Sequence, residues 1–200
     1  MKFIVGIDEA GKGPLAGPVS IGVFLDLKQR TKDPKFLEEH FPKLRDSKKL
    51  SEKKREDFFR RMRTLKEKGE IDFAVALVHA SLIDRVGISK AIKGGIAACF
   101  KKLKLNPKEC QILLDGGLKA PLEFTYQETI IKGDELEPAI SLASIAAKVT
   151  RDRHMISEAL KYPEYGFEVH KGYGTEKHRK AIKEKGTCPI HRVSFCQNIF

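Results

Sequence analysis

The chain has 200 residues, with 38 Lys and Arg against 27 Asp and Glu, and a formal net charge of +11. That balance favours a polyanionic partner, most simply nucleic acid, and 41% hydrophobic residues supply a proper core and exclude compositional disorder. The opening apolar run is too short for a secretory signal and no run approaches membrane-spanning length. Cys99, Cys110, Cys188 and Cys196 lack C-x-x-C spacing and read as free thiols. The expected setting is therefore a reducing cytoplasm without a membrane.

Residues 3–8 are apolar and β-branched and predict a buried strand. Residues 17–27 predict a second strand, returned antiparallel by the Gly/Pro-rich turn between them. Residues 28–50 are basic and broken by Pro34 and Pro42, a loop with room for one short helix. Ser51 suits an N-cap for a helix to about residue 68, ended by Gly69. Residues 70–79 predict a third strand, and residues 87–104 carry apolar groups at helical spacing, with Pro107 soon after. Short strands follow at 111–115 and 125–131. A long helix over 137–160 carries the small-residue run Ser141–Lys148, which lets it pack closely or lets a ligand reach its backbone. Residues 161–175 read as a Gly/Tyr/Pro loop, and Thr175 caps a basic helix to about 185. The order of elements places all of residues 1–200 in one α/β or α+β unit.

Asp8, Glu9, Asp115 and Asp134 share a setting: each follows an apolar strand and lies near glycine, at the edge where α/β sheets gather their ligands. If the first and fourth strands are parallel neighbours, Asp8 and Asp115 stand side by side. Adjacent strand residues point to opposite faces, so Asp8 and Glu9 share a site only if the strand breaks, which Gly11 permits. Such a cluster suits Mg²⁺ or Mn²⁺, and two ions roughly 3.5–4 Å apart can clamp a phosphodiester. Taken singly, Asp115 and Asp134 read equally well as turn formers. Gly6 to Lys12 also fits seven positions of a nucleotide P-loop, but Gly13 replaces the Ser/Thr and two carboxylates would repel phosphate. A zinc site at Cys188, His191 and Cys196 lacks a visible fourth ligand.

The basic groups admit two readings each. Residues 46–55 are either a phosphate contact or a solvated helix entrance. Lys171 and Tyr173 fit a nucleic-acid backbone and a stacked base or sugar, or a loop packed on itself. Arg192 fits a phosphate, or a carboxylate within the protein.

Taken together, Asp8–Val19, Asp46–Leu50, Leu114–Gly116, Lys132–Asp134, Ser141–Lys148 with Arg151 and Asp152, His170–Thr175 and His191–Phe195 resemble the signatures of ribonuclease HII. The resemblance runs in order over nearly the whole chain. It implies a ribonuclease H-like fold, a five-stranded mixed sheet flanked by helices with a small C-terminal helical segment. It implies an endonuclease that cuts the RNA strand of RNA–DNA hybrids and 5′ of ribonucleotides embedded in duplex DNA. The family's acidic quartet maps to Asp8, Glu9, Asp115 and Asp134, its glycine turn to Gly11, Lys12 and Gly13, and its junction-sensing tyrosine to Tyr173. Lys12 departs from the family's usual arginine and offers no planar fork.

From this follows an expected mechanism in which the four carboxylates hold two Mg²⁺ or Mn²⁺ and hydrolysis leaves 3′-hydroxyl and 5′-phosphate ends. The glycine-turn backbone reads the 2′-hydroxyl, and Tyr173 packs on the adjacent deoxyribose. Lys48, Lys148, Lys171 and Arg192 hold phosphates, with Ser144 also in the substrate site, and residues 160–200 complete the groove. A monomer is expected. The rival of another class is a silent hybrid-binding module, which the four acids would disfavour.

Overall fold

The computed structural model describes residues 1–44 and 50–199. Five strands, β1 (Phe3–Ala10), β2 (Val19–Asp26), β3 (Ile71–Val78), β4 (Cys110–Asp115) and β5 (Gln127–Ile130), form one sheet in the order β3-β2-β1-β4-β5. β1 pairs antiparallel with β2, and β2 with β3, while β1, β4 and β5 run parallel. The sheet is therefore mixed, as expected. Every residue of β2 is buried, because it is paired on both edges and covered on both faces.

The helices are α1 (Pro34–His40), α2 (Glu52–Glu67), α3 (Ala80–Val86), α4 (Ile88–Leu103), α5 (Gly133–Leu136), α6 (Pro138–Ala159), α7 (Phe167–His170) and α8 (Glu176–Lys185). Side-chain alternation assigns them to faces. Val5, Ile7, Val23, Ile112 and Leu114 pack with Ile92, Ile96 and Phe100 of α4. Ile4, Phe24 and Leu113 turn the other way, onto Ile140, Ala143 and Ala146 of α6 and Phe58 and Met62 of α2. The small residues of α6 let its backbone lie directly on the sheet: a Cβ on Gly22 would stand 2.1 Å from the Ala143 carbonyl oxygen. A third, smaller core joins Leu15, Ala16 and Met155 to Tyr165, Phe167, Ile182 and Cys196. It fastens residues 160–199 to the end of α6.

Three short helices depart from expectation, one of them α7, which lies inside the expected loop over 161–175. α3 has no counterpart in the hydrophobic periodicity because seven residues hold fewer than two apolar repeats. α5 is a single turn entered through Lys132 in a left-handed conformation. Consequently Asp134 sits in α5 and not at the end of β5, which stops at Ile130. Ser51 and Thr175 cap α2 and α8 by accepting from the amides of Lys54 and His178, as their sequence positions suggest.

Candidate active site

β1 does not break at its acids. It stays paired with β2 through Glu9–Ile21 and Ala10–Ser20. Its pairing with β4, however, ends at Ile7–Leu114, so β1 outruns β4 and its outer flank is open at Asp8 and Glu9. This open flank, in place of the expected break, lets consecutive residues line one cleft. Asp115 is the next residue of β4 after that last pair, beside Asp8. Asp134 reaches the same cleft from α5, where its amide donates to the Asp115 Oδ1 at 3.3 Å.

The cleft has a volume of about 430 Å³ and is lined by Asp8, Glu9, Asp115 and Asp134 and by residues 10–13, with Arg55, Ser144, Ile145, Lys148 and Tyr173 completing the wall. Asp8 and Asp134 are buried. Burial, chiefly, pushes the Asp8 carboxyl from 3.8 to about 8, against a hydrogen bond from the Ser144 side chain and with Glu9 and Asp115 adding repulsion. Burial also raises Glu9, opposed by Lys12 and reinforced by Asp115. Lys12 Nζ stands 3.9 Å from Glu9. Among the described residues no three His, Cys, Asp or Glu side chains are already drawn together as an ion's ligands. The donor set nevertheless fits a hard divalent cation: it is all carboxylate oxygen, and it is held in a state that positive charge would relieve.

The glycine turn is built from behind. Gly11 has φ +84°, and a Cβ there would meet the Arg151 Nε at 2.0 Å, so only glycine fits. Arg192 is fully buried. Its guanidinium donates to the carbonyls of Gly11 (2.6 Å), Lys12 (2.9 Å) and Gly17 (3.0 Å). Burial and the nearby Arg151 bring Arg192 down to about 10, so it stays charged at neutral pH. The expectation that Arg192 holds a phosphate is therefore corrected: all three guanidinium nitrogens donate to backbone carbonyls, with the Asp84 carboxylate near enough to favour the charged form. Lys171 is corrected likewise. It is buried, with its Nζ donating to the Glu168 carbonyl, away from the cleft wall.

Other expected residues lie on the cleft. Tyr173 is 45% exposed, and the Arg151 guanidinium carbon stands 5.8 Å from its ring centroid. Lys148 pairs with Asp152 at 2.9 Å while lining the cleft. Lys48 lies outside the described residues, as do residues 46, 47 and 49 of the basic run around it. Arg55, the last residue of the basic run 46–55, enters the cleft from α2, while sequence reasoning overlooked the framework role of Arg151, whose Nε and Nη2 donate to the Pro18 and Ala16 carbonyls. A signal for Arg151 existed: it follows Ser144 and Ala147 on one helical stripe at i+7 and i+4. The P-loop match has no structural counterpart, because β1 continues to Ala10 and no helix opens before β2.

The sequence pattern of the family described as ribonuclease HII matches residues 5–198. The chain is 45% identical over 192 residues to the ribonuclease HII of Endomicrobium trichonymphae, covering 96% of this chain and 84% of that one. It is 42% identical over 199 residues to that of Caldicellulosiruptor bescii, covering 99% and 88%. The crystal structure of ribonuclease H2 from Pyrococcus horikoshii superposes with a TM-score of 0.73 at 27% identity, over 98% of this chain and 96% of that one.

Proposed function

The chain belongs to the ribonuclease HII family, a metal-dependent endoribonuclease acting on RNA–DNA hybrids, and on that footing we propose how its own residues carry the reaction. The observation that carries the reading is one cleft bounded by four carboxylates, a clamped glycine turn and an exposed tyrosine. Asp8, Glu9, Asp115 and Asp134 would hold Mg²⁺ or Mn²⁺, two ions in all. When bound, such ions supply an activated water and stabilise the departing 3′ oxygen, leaving 3′-hydroxyl and 5′-phosphate ends.

The chain's residues do the selecting. Amides of residues 11–13 donate to the 2′-hydroxyl of the ribonucleotide. Tyr173 packs on the neighbouring deoxyribose, where a 2′-hydroxyl would clash, so cutting falls 5′ of a ribonucleotide embedded in DNA as well as within longer hybrids. Lys148 neutralises a phosphate, with Arg55 near it on the wall. Ser144 lines the substrate cleft and hydrogen-bonds Asp8, fixing the carboxyl's rotamer there.

A labelled RNA–DNA duplex incubated with Mn²⁺ tests this directly. Wild type should cut the RNA strand, EDTA should stop it, and Asp8→Asn should lose cleavage by about a hundredfold or more while still binding the duplex. Turnover that survives EDTA, or survives in Asp8→Asn, removes these carboxylates from the chemistry.

A further inference from the structure

His170, His178 and His191 form a histidine cluster beneath the Tyr173 loop, and none of them lines the carboxylate cleft. Their hydrogen bonds fix each tautomer. A carbonyl can only accept, so His178 Nδ1, at 2.9 Å from the Tyr173 carbonyl oxygen, carries a proton. His191 Nδ1 lies 2.9 Å from the Cys188 amide, which donates to it, and 3.3 Å from the Cys188 carbonyl; the shorter contact selects the His191 tautomer with its proton on Nε2. That Nε2 lies 3.0 Å from His178 Nε2. The two assignments agree only if His191 donates and His178 accepts, with both rings neutral. His170 is fixed the same way: its Nδ1 accepts from the Gly172 amide at 3.1 Å, and its Nε2 donates to the Tyr165 carbonyl at 2.7 Å.

The groups around the pair suit neutrality. His170 stacks on His178 at 4.4 Å, Tyr165 contacts both rings of the pair, and the Cys188 thiol lies 3.1 Å from His191. Burial holds His178 down to about 4 and lowers His191. A proton on either ring would set two N–H groups against each other or add charge beside His170.

The next residue after His191 is Arg192, which grips the glycine turn. In a planar trans peptide the N–H of one residue points opposite to the carbonyl of the residue before it. Holding the Gly11 and Lys12 carbonyls inward therefore turns the amides of Lys12 and Gly13 outward. The segments between are stitched together: the Leu15 and Ala16 amides donate to the Gly172 carbonyl, and the Arg192 amide donates to the Leu15 carbonyl at 2.7 Å.

We propose that His191 and Arg192 act as one positioning strut that fixes the spacing between the glycine turn and Tyr173, His191 acting through His178. This rests on the reading that those two elements touch the ribonucleotide. Neither residue touches substrate. The strut sets the width of the slot that must accept a ribose on one side and a deoxyribose on the other.

The test compares wild type, His191→Ala, His191→Gln and Tyr173→Ala on a DNA duplex with one embedded ribonucleotide and on a long hybrid. Glutamine can still place an N–H near the His178 Nε2. His191→Ala is expected to lower kcat/KM on the single ribonucleotide by about tenfold, mostly in kcat, with a smaller loss on the hybrid. His191→Gln should recover to within about threefold of wild type. Equal losses on both substrates, a change confined to KM, or no change would overturn the strut. Nitrogen NMR of the wild-type protein at pH 7 supplies an arm independent of activity. It should find His178 protonated on Nδ1 and His191 on Nε2, and an imidazolium or the opposite tautomers would overturn the hydrogen-bonded pair. If Tyr173→Ala affects both substrates alike, the junction reading fails, and the NMR arm still decides the pair.

Discussion

Asp8 lies where burial, Ser144, Glu9 and Asp115 act on one carboxyl, and burial dominates. Because its pKa rises from 3.8 to about 8, the folded metal-free protein binds more protons than the unfolded chain between those values. Through this group stability falls as pH rises from about 4 to about 8; His178, held down from 6.5 to about 4, acts in the opposite sense below about 6.5, so the net decline is expected between about 6.5 and 8. Thermal melts in EDTA across that range should show the decline, and Asp8→Asn should flatten it. Divalent cation should restore stability most at the alkaline end, because binding displaces the proton. Residue chemistry at this scale was legible where it depended on type and spacing, as with Asp8, Glu9 and Asp115. It was not legible for Arg192 and Lys171. A sequence gives their charge, but only packing reveals that they are buried and donate to the Gly11, Lys12, Gly17 and Glu168 carbonyls.

The long elements were readable because their periodicities are strong. β1, β2, β3 and the helices α2, α4 and α6 fall within a few residues of their predicted bounds, since each spans several repeats of its own pattern. The one-turn α5 was not readable, and its presence moves Asp134 off the strand end. The α6 small-residue face carries an element-scale prediction. Gly22→Ala should destabilise the protein by about 1–3 kcal/mol or more in urea unfolding, because its Cβ would meet the Ala143 backbone, which cannot give way as a side-chain tip does. A change of less than about 0.5 kcal/mol would mean that the helix is free to lift from the sheet.

Across the whole molecule, the net charge of +11 surrounds a cleft whose floor is acidic. Duplex affinity should come from the basic surface and not from the floor. Binding to a hybrid should weaken linearly on logarithmic axes with added salt, with a slope steeper than about −3. Asp8→Asn should leave that slope unchanged, whereas Lys148→Ala should reduce it by about 1. A fluorescence anisotropy titration at four salt concentrations measures both. By itself the sequence determined the mixed α/β sheet, the family and the identity of the acidic residues, because these follow from local periodicity and from residue types at characteristic spacings. Only the tertiary structure decided that β1 outruns β4 to expose consecutive acids on one flank, and that Arg192 and the histidines face inward. The strand register and the burial of Arg192 arise from contacts between segments more than a hundred residues apart, and the histidines turn inward through the packing of a loop whose periodicity is too short to read.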